Sequence, residues 1–587
     1  MSEATGLIVI GNHEYPSTWP SCEADVTNHR VVSSVRISSI STFALAIAVS
    51  SGVGCSGQKE QTGAVGTTTL TAASASASPG GEPPAVPTVP RGAVPPSDLP
   101  SLPKGEGLPP VSLDGTSRPW PPPVPESVPR IAAIAIETPV FSQPDASSPR
   151  LGMLRAGAIL EMDPKPISGR GCGATFRAIK PMGFVCVGTM TLDLNHPFVR
   201  ASTRRADTTQ KLPYMYGMAV RGGPVYASLP SAKELAEYEP NLATHLDRWK
   251  KDTVNGATYG NELWGKWKSE PIPPALEAME QKLTDKELPW FLQNGGKTPN
   301  LANAMVVLSR AGDFSRHNGI AFVDSMLWEG RRYNLSVDLR LYTADRFRAI
   351  RGSEFHGFRI PEEVQLPFAI VKSKKAKILH EESNGRLVAG DAAEWRSTLQ
   401  ITGKQRVQKG KHYDQLQDGS WIADDEVARV DIAKKMPGWA VEGEKWIDIN
   451  VTRQVLVAYE GTKPVYATLV STGEAGLDDP KTTKATKRGI FRVHTKFLTA
   501  TMDSQAVGEE FELRDVPYVQ YFTEGYALHA AYWHDVFGQP KSHGCVNLAP
   551  EDARRLFFWT EPRVPDQWHG ALAGSKGKGG TVIFVHP

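Results

Sequence analysis

A cysteine sits in the run Ser542-His543-Gly544-Cys545-Val546-Asn547-Leu548, and a histidine lies upstream in Ala527-Leu528-His529-Ala530-Ala531-Tyr532-Trp533-His534. A thiol within folding reach of an imidazole is the pair that nucleophilic acyl transfer requires. The thiolate attacks, the imidazole removes and returns a proton, and backbone N–H groups hold the developing oxyanion. Cys545 is the candidate nucleophile and His529 the candidate general base and acid. Gly544 permits the tight turn that exposes the sulfur, where a bulkier residue would obstruct it. A free thiol titrates near about 8.5, so a neighbouring imidazolium is expected to stabilise the thiolate. A lone buried cysteine is otherwise an inert core residue. His534 reads as structural, and His569 and His586 have no supporting context.

Rigid elements must hold such a pair. From about Glu444 onward, apolar alternation predicts strands at Trp446–Val451, Gln454–Tyr459, Pro464–Val470, Gly489–Val493 and Gly580–Val585. Pro550 suits the first turn of a helix running to Trp559. The expected result is a mostly β domain over 444–587 with a short helix and with the cysteine between strands.

This stretch resembles the L,D-transpeptidase catalytic domain (YkuD or ErfK family). The resemblance rests on His529 followed after 545 − 529 = 16 positions by the cysteine of Ser542-His543-Gly544-Cys545-Val546-Asn547. Asp515-Val516-Pro517-Tyr518-Val519-Gln520-Tyr521-Phe522 and Tyr532-Trp533-His534 look like the family's substrate-cleft segments. Two positions differ: Thr486-Lys487-Arg488-Gly489 stands where the family shows a Thr-Pro-rich run, and Asn547 stands where many relatives carry arginine. The resemblance implies Cys545 as nucleophile and His529 as base, its ring oriented by the Ala530 carbonyl. It implies His543 as support for the thiolate and loop, and the Gly544 and Cys545 N–H groups as an oxyanion hole. Tyr518 would flank the bound peptide, and Ser542 and Asn547 would hold the loop and substrate by hydrogen bonds. The implied reaction is acylation by a peptidoglycan tetrapeptide stem, then transfer to a second stem as a 3→3 cross-link, with no metal and no other cofactor. Water as acceptor would make an L,D-carboxypeptidase, and a protein lysine an enzyme that anchors an envelope protein. A non-catalytic wall-binding scaffold is the alternative of another class. A papain-like protease would place its cysteine early and its histidine far downstream.

The 587 residues exceed one ordinary core, so several domains are expected, and 65 basic against 63 acidic side chains give no nucleic-acid signature. The five cysteines, Cys22, Cys55, Cys172, Cys186 and Cys545, contain no CxxC pair, which argues against a thiolate zinc site. Cys172 and Cys186 are expected to pair as a disulfide, which requires an oxidising compartment, leaving Cys545 free.

Residues 1–30 are too acidic for an export signal. Arg36, the apolar Ser41–Val49 and the small residues leading to Cys55 read as one, so translation is expected to start near Val31, Val32 or Val35. Ser50-Ser51-Gly52-Val53-Gly54-Cys55 resembles a lipoprotein lipobox, with Gly52 in place of the usual leucine and Ser56 compatible with outer-membrane sorting. The implied protein is exported to the periplasm or cell envelope and anchored to a membrane by lipid on Cys55. An ordinary secretory signal would export it without the anchor. Residues 56–129, rich in Pro, Ala and Ser, are expected to be a disordered linker.

Residues 130–195 read as short strands at Ile131–Ile136, Gly157–Met162, Phe176–Ile179 and Gly183–Cys186, resembling a bacterial SH3-like barrel that either binds wall material or acts as a spacer. Residues 364–435, with Phe368–Val371 and the turn Asp418-Gly419-Ser420 before Trp421, resemble a second. Residues 200–360 form a mixed region of unassigned role. It holds helical patches at Ala232–Tyr238 and Ala275–Leu283, a strand-like Asn334–Leu341, and Trp264, Trp267 and Trp290 as expected core.

Overall fold

The structure is a computed structural model. It describes residues 123–251, 288–300, 310–329, 331–361, 364, 366–431, 435–504, 511–574 and 577–587. The signal, Cys55, the linker up to residue 122, Trp264, Trp267 and the Ala275–Leu283 patch lie outside the described residues. Strands dominate the described residues, in sheets of three, six, seven and 16 strands.

The catalytic candidate is built from two facing layers. One is a six-stranded sheet in which Lys445–Asn450 pairs antiparallel with Val455–Glu460 and parallel with Val582–His586, while Lys463–Leu469 pairs with Val455–Glu460. Its inward residues Ile447, Ile449, Leu456, Ala458 and Tyr466 pack with Val516, Tyr518, Leu528 and Val546 of the opposing layer. That second layer contains Thr495–Ser504, Phe511–Thr523, Tyr526–Ala530 and Val546–Leu548.

The helix Pro550–Trp559 forms where Pro550 predicts it, buried along most of its length. Asp552, fully buried, accepts hydrogen bonds from Tyr466 Oη at 2.6 Å, from Thr468 Oγ1 and from the Gly357 N–H at 2.8 Å. At the other end Lys496 Nζ donates to the Phe557 carbonyl and, at 2.9 Å, to the Thr560 carbonyl. A buried cation there satisfies carbonyls the helix leaves open and complements its dipole.

The neighbouring modules are not beads on a string. Gly570–Leu572 pairs with Thr495–Ser504 on one side and with Arg150–Leu154 of the first module on the other. Phe358–Arg359 adds an edge strand beside Lys463–Leu469. Cys172 and Cys186 form a disulfide, with Cα atoms 5.7 Å apart.

Among the described residues, neither strand-rich accessory module closes into a barrel. The 364–435 region is an open seven-stranded sheet, and the strands of 130–195 divide between a three-stranded sheet and the 16-stranded one. The middle region, left without a role by the sequence, repeats their local order of strand, tight turn, strand, 3-10 turn, strand. That order runs Phe176–Ala178 to Met190–Thr191, Arg331–Ser336 to Phe347–Ile350, and Lys411–Leu416 to Val427–Val430. Ala232–Tyr238 is helical, begun by a capping box between Ser231 and Glu234. The expected single strand Asn334–Leu341 is instead two, because Leu339 adopts φ 58° in a turn between them. Trp290 is 40% exposed, with the Arg200 guanidinium 4.7 Å above its ring, and so is not core.

Candidate active site

The cysteine and histidine are brought together by a short parallel strand pair. Leu528 pairs with Val546, His529 with Asn547 and Ala530 with Leu548. Cys545 immediately precedes this strand, so the period of two puts Cys545, Asn547 and His529 on one face. A strand spacing of about 4.8 Å and a two-residue rise of about 6.6 Å separate the Cα atoms of Cys545 and His529 by about 8 Å.

His529 is 2% exposed, and its Nδ1 lies 3.3 Å from the Ala530 carbonyl. That bond places the proton on Nδ1 and leaves Nε2 as the acceptor, the tautomer a general base needs. Trp533 stacks on the ring with centroids 5.7 Å apart. Burial pushes the His529 imidazole down to about 4.

Cys545 is a free thiol of intermediate exposure, reachable from solvent. The thiol donates toward the Gly525 carbonyl at 3.6 Å, and the Ala527 N–H supports the sulfur. The tight packing of the surrounding chain still denies a thiolate its hydration, and burial pushes the thiol up to about 11. The resting pair is therefore a neutral thiol and a neutral imidazole, and not the thiolate–imidazolium pair expected from sequence.

Gly544 is buried with φ +126°, and a Cβ there would meet Tyr526 Cε1 at 2.8 Å, so this position admits glycine alone. Ser542 holds the loop: its Oγ donates to the Cys545 carbonyl and accepts from the Gly544 N–H at 3.1 Å. The Gly544 N–H, expected in the oxyanion hole, is thus engaged in this resting state. The Cys545 N–H is the other backbone group named for that role.

Asn547 is 2% exposed, and its amide lies 2.9 Å from His534 Nε2. His543 is exposed, its ring 5.4 Å from Phe511. Tyr518 departs from expectation. It is fully buried between Phe557 and Phe558 with its hydroxyl donating to the Gln210 carbonyl, so it faces the core and cannot flank a bound peptide.

Sequence reading missed Gly525 and Tyr526, and gave Tyr521 and Thr486 no individual role. Tyr521 and Tyr526 lie close enough to Cys545 for a charge on its sulfur to act on their hydroxyls. The Tyr526 hydroxyl donates to the Pro480 carbonyl at 3.1 Å. Thr486 accepts from the Gly473 N–H at 2.8 Å and donates to the Gly544 carbonyl at 2.7 Å, tying the 473–486 loop to the nucleophile turn. A separate cavity, lined by Arg155, Arg204, Arg205, Tyr214 and His569, contains none of these residues.

Residues 444–582 match the family model of the L,D-transpeptidase catalytic domain, YkuD. Similar solved structures include an L,D-transpeptidase from Xylanimonas cellulosilytica, at 21% identity over 27% of this chain and 64% of that one, TM-score 0.18. An Enterococcus faecium L,D-transpeptidase is 21% identical over 24% of this chain and 50% of that one, TM-score 0.19. A Stackebrandtia nassauensis L,D-transpeptidase is 27% identical over 26% of this chain and 57% of that one, TM-score 0.17. The chain therefore spans between half and two thirds of the length of these structures. No curated protein matches it.

Proposed function

We propose that the L,D-transpeptidase catalytic domain at residues 444–582 is an active cysteine acyltransferase that cross-links peptidoglycan stem peptides. The observation that carries this reading is the shared strand face of Cys545, His529 and Asn547. On substrate binding, the thiol proton passes to His529 Nε2 as sulfur attacks the stem carbonyl. The C–S bond forms, the carbonyl electrons move to oxygen, and the oxyanion collapses to a thioester. The C–N bond breaks, and His529 returns the proton to the departing D-amino acid amine. A second stem's amine then attacks the thioester, His529 takes its proton, and the thiol is regenerated with a 3→3 cross-link. Burial holds Cys545 and His529 neutral before substrate binds and opposes a preformed ion pair, so in this reading the proton moves only as the C–S bond forms.

The Cys172–Cys186 disulfide supports export to an oxidising envelope compartment. Lipidation of Cys55, and with it membrane attachment, belongs to the same proposal.

The test is incubation of the full chain with a disaccharide-tetrapeptide and mass analysis of products. Cross-linked dimer is the expected product, and Cys545→Ala should yield none while keeping its fold. Tripeptide alone would mean that water is the acceptor, conjugation to an added envelope protein would mean a protein acceptor, and turnover by Cys545→Ala would remove the nucleophile assignment.

A further inference from the structure

The loop between His529 and Cys545 is held from two sides. On one side the catalytic domain grips it: the Gly538 N–H donates to the Val470 carbonyl at 2.9 Å, Ser471 Oγ to the Val536 carbonyl at 3.2 Å, and the Lys541 N–H to the Thr472 carbonyl at 2.9 Å. On the other side every contact comes from residues that precede the family-matched region. Arg396 donates to Asp535 Oδ1 at 2.5 Å and to the Asp535 carbonyl at 3.1 Å. Ser353 donates to the same carboxylate. Gly538 lies so near Lys372 that an added Cβ would come within 2.8 Å of the lysine Cβ.

Arg396 is built for this contact. Its guanidinium lies 3.7 Å from the Trp395 ring centroid and 4.5 Å from that of Phe355, and its side chain is 13% exposed. A planar, stacked guanidinium is pre-organised for a carboxylate in a way a lysine is not.

His534 adjoins Asp535. Its Nδ1 accepts from the Val536 N–H at 3.4 Å, and burial pushes its imidazole down to about 3, so the neutral ring carries its proton on Nε2. The structure sets Asn547 Nδ2 2.9 Å from His534 Nε2; with the proton on Nε2 two donors would face each other, so we turn the amide over and its oxygen accepts there. The other end of the Asn547 amide has no hydrogen-bond partner among the described residues. With the oxygen turned to His534, that end is an N–H2 donor, buried on the face that carries Cys545 and His529.

We propose that Arg396, from the accessory module, is a positioning residue for catalysis: through Asp535 it fixes His534, and His534 aims the Asn547 amide as a donor toward the acyl group on Cys545. The inference rests on the acyltransferase reading. It gives the 368–430 module a role at the active site that does not depend on binding wall material.

The experiment uses the full chain and compares Arg396→Ala, Arg396→Lys, His534→Leu, His534→Gln and the Arg396→Ala/His534→Leu double variant. Acylation of Cys545 by a carbapenem is followed by intact mass across concentrations, alongside alkylation by iodoacetamide, which attacks through sulfur but creates no oxyanion. Arg396→Ala and His534→Leu should each lower the saturating acylation rate at least about tenfold at little-changed half-saturating concentration. Alkylation should change less than about threefold, since it needs no oxyanion donor. His534→Gln, which keeps a donor, should recover most of the rate, and Arg396→Lys should not. The double variant should be no slower than His534→Leu, as coupled members of one chain are non-additive. Parental acylation by Arg396→Ala, or multiplying effects in the double variant, overturns the inference. So does an equal loss of acylation and alkylation, which marks a general loosening. Should His534→Leu fail to fold, Arg396→Ala and His534→Gln decide the matter alone. An unmodified protein that takes up no acyl group overturns the acyltransferase reading and this inference with it.

Discussion

Alkylation of Cys545 by iodoacetamide should climb steeply with pH and show no plateau near neutrality. Burial holds the thiol at about 11 and His529 at about 4. At pH 7.5 the thiolate fraction is then about 3 in 10,000, against about 1 in 10 for an ordinary cysteine, so the sulfur should alkylate roughly 300-fold more slowly than a free thiol. The logarithm of the rate should rise with a slope of about one per pH unit from about pH 6 to pH 10. A preformed thiolate–imidazolium pair would behave otherwise: its rate would level off as soon as the pair formed and stay flat across neutrality. The second perturbation is His529→Ala. With no ion pair to lose, alkylation should change by less than about threefold, whereas acyl transfer, which needs a base, should fall by about 100-fold or more. The assay is intact-mass quantification of the adduct over time in buffers of constant ionic strength, with Cys545→Ala as the blank. A flat rate between about pH 5 and pH 8, or a collapse of alkylation in His529→Ala, would refute the neutral-pair argument.

Three further outcomes follow from the packing. Because His529 and His534 are both buried with lowered imidazole values, the unfolded state binds protons the folded one refuses. Stability is therefore present above about pH 6.5 and lost as pH falls toward 4. The loss is about 3 kcal/mol from His529 alone, visible as an acid-dependent fall in the denaturation midpoint that His529→Gln reduces. Gly544→Ala must force a side chain into φ +126° and against Tyr526, so it should cost about 2 kcal/mol or more and lower acylation at least about tenfold, read by thermal melting and intact mass. Replacing Cys172 and Cys186 by alanine opens a loop with a sequence separation of 14, and should lower stability by about 3 kcal/mol without altering acylation of Cys545 in the folded fraction.

The candidate site was legible in the sequence because it depends on residue type at short spacing. Ser542 to Asn547 and His529 could be read directly, and the Ala530 carbonyl does meet His529 Nδ1. The hairpin Lys445–Glu460 and the helix Pro550–Trp559 were legible as well, through alternation and a first-turn proline. Asp515–Phe522, part of the strand Phe511–Thr523, was read only as a cleft segment. The strand is long and its residues Asp515 to Phe522 are all buried, which removes the alternation that betrays a strand and its inward face. That is also why Tyr518 was assigned to the cleft when it lies in the core. The recurrence of one strand order in three regions was hidden because backbone path repeats while side chains do not: Asp418-Gly419-Ser420 and Val337-Asp338-Leu339-Arg340 make comparable reversals with different residues. The contact of Arg396 with Asp535 spans 139 positions, and nothing local announces it.

The strand Val582–His586 lies between Lys445–Asn450 and Gly489–Arg492, in the interior of its sheet and not at an edge. A polypeptide halted before Val582 would be missing a central plank, leaving two raw margins lined with unpaired amides. Synthesis must deliver nearly all of the sequence before this domain can close. A shortened product would reach quality control as a sticky, incomplete sheet and not as a slightly loosened fold.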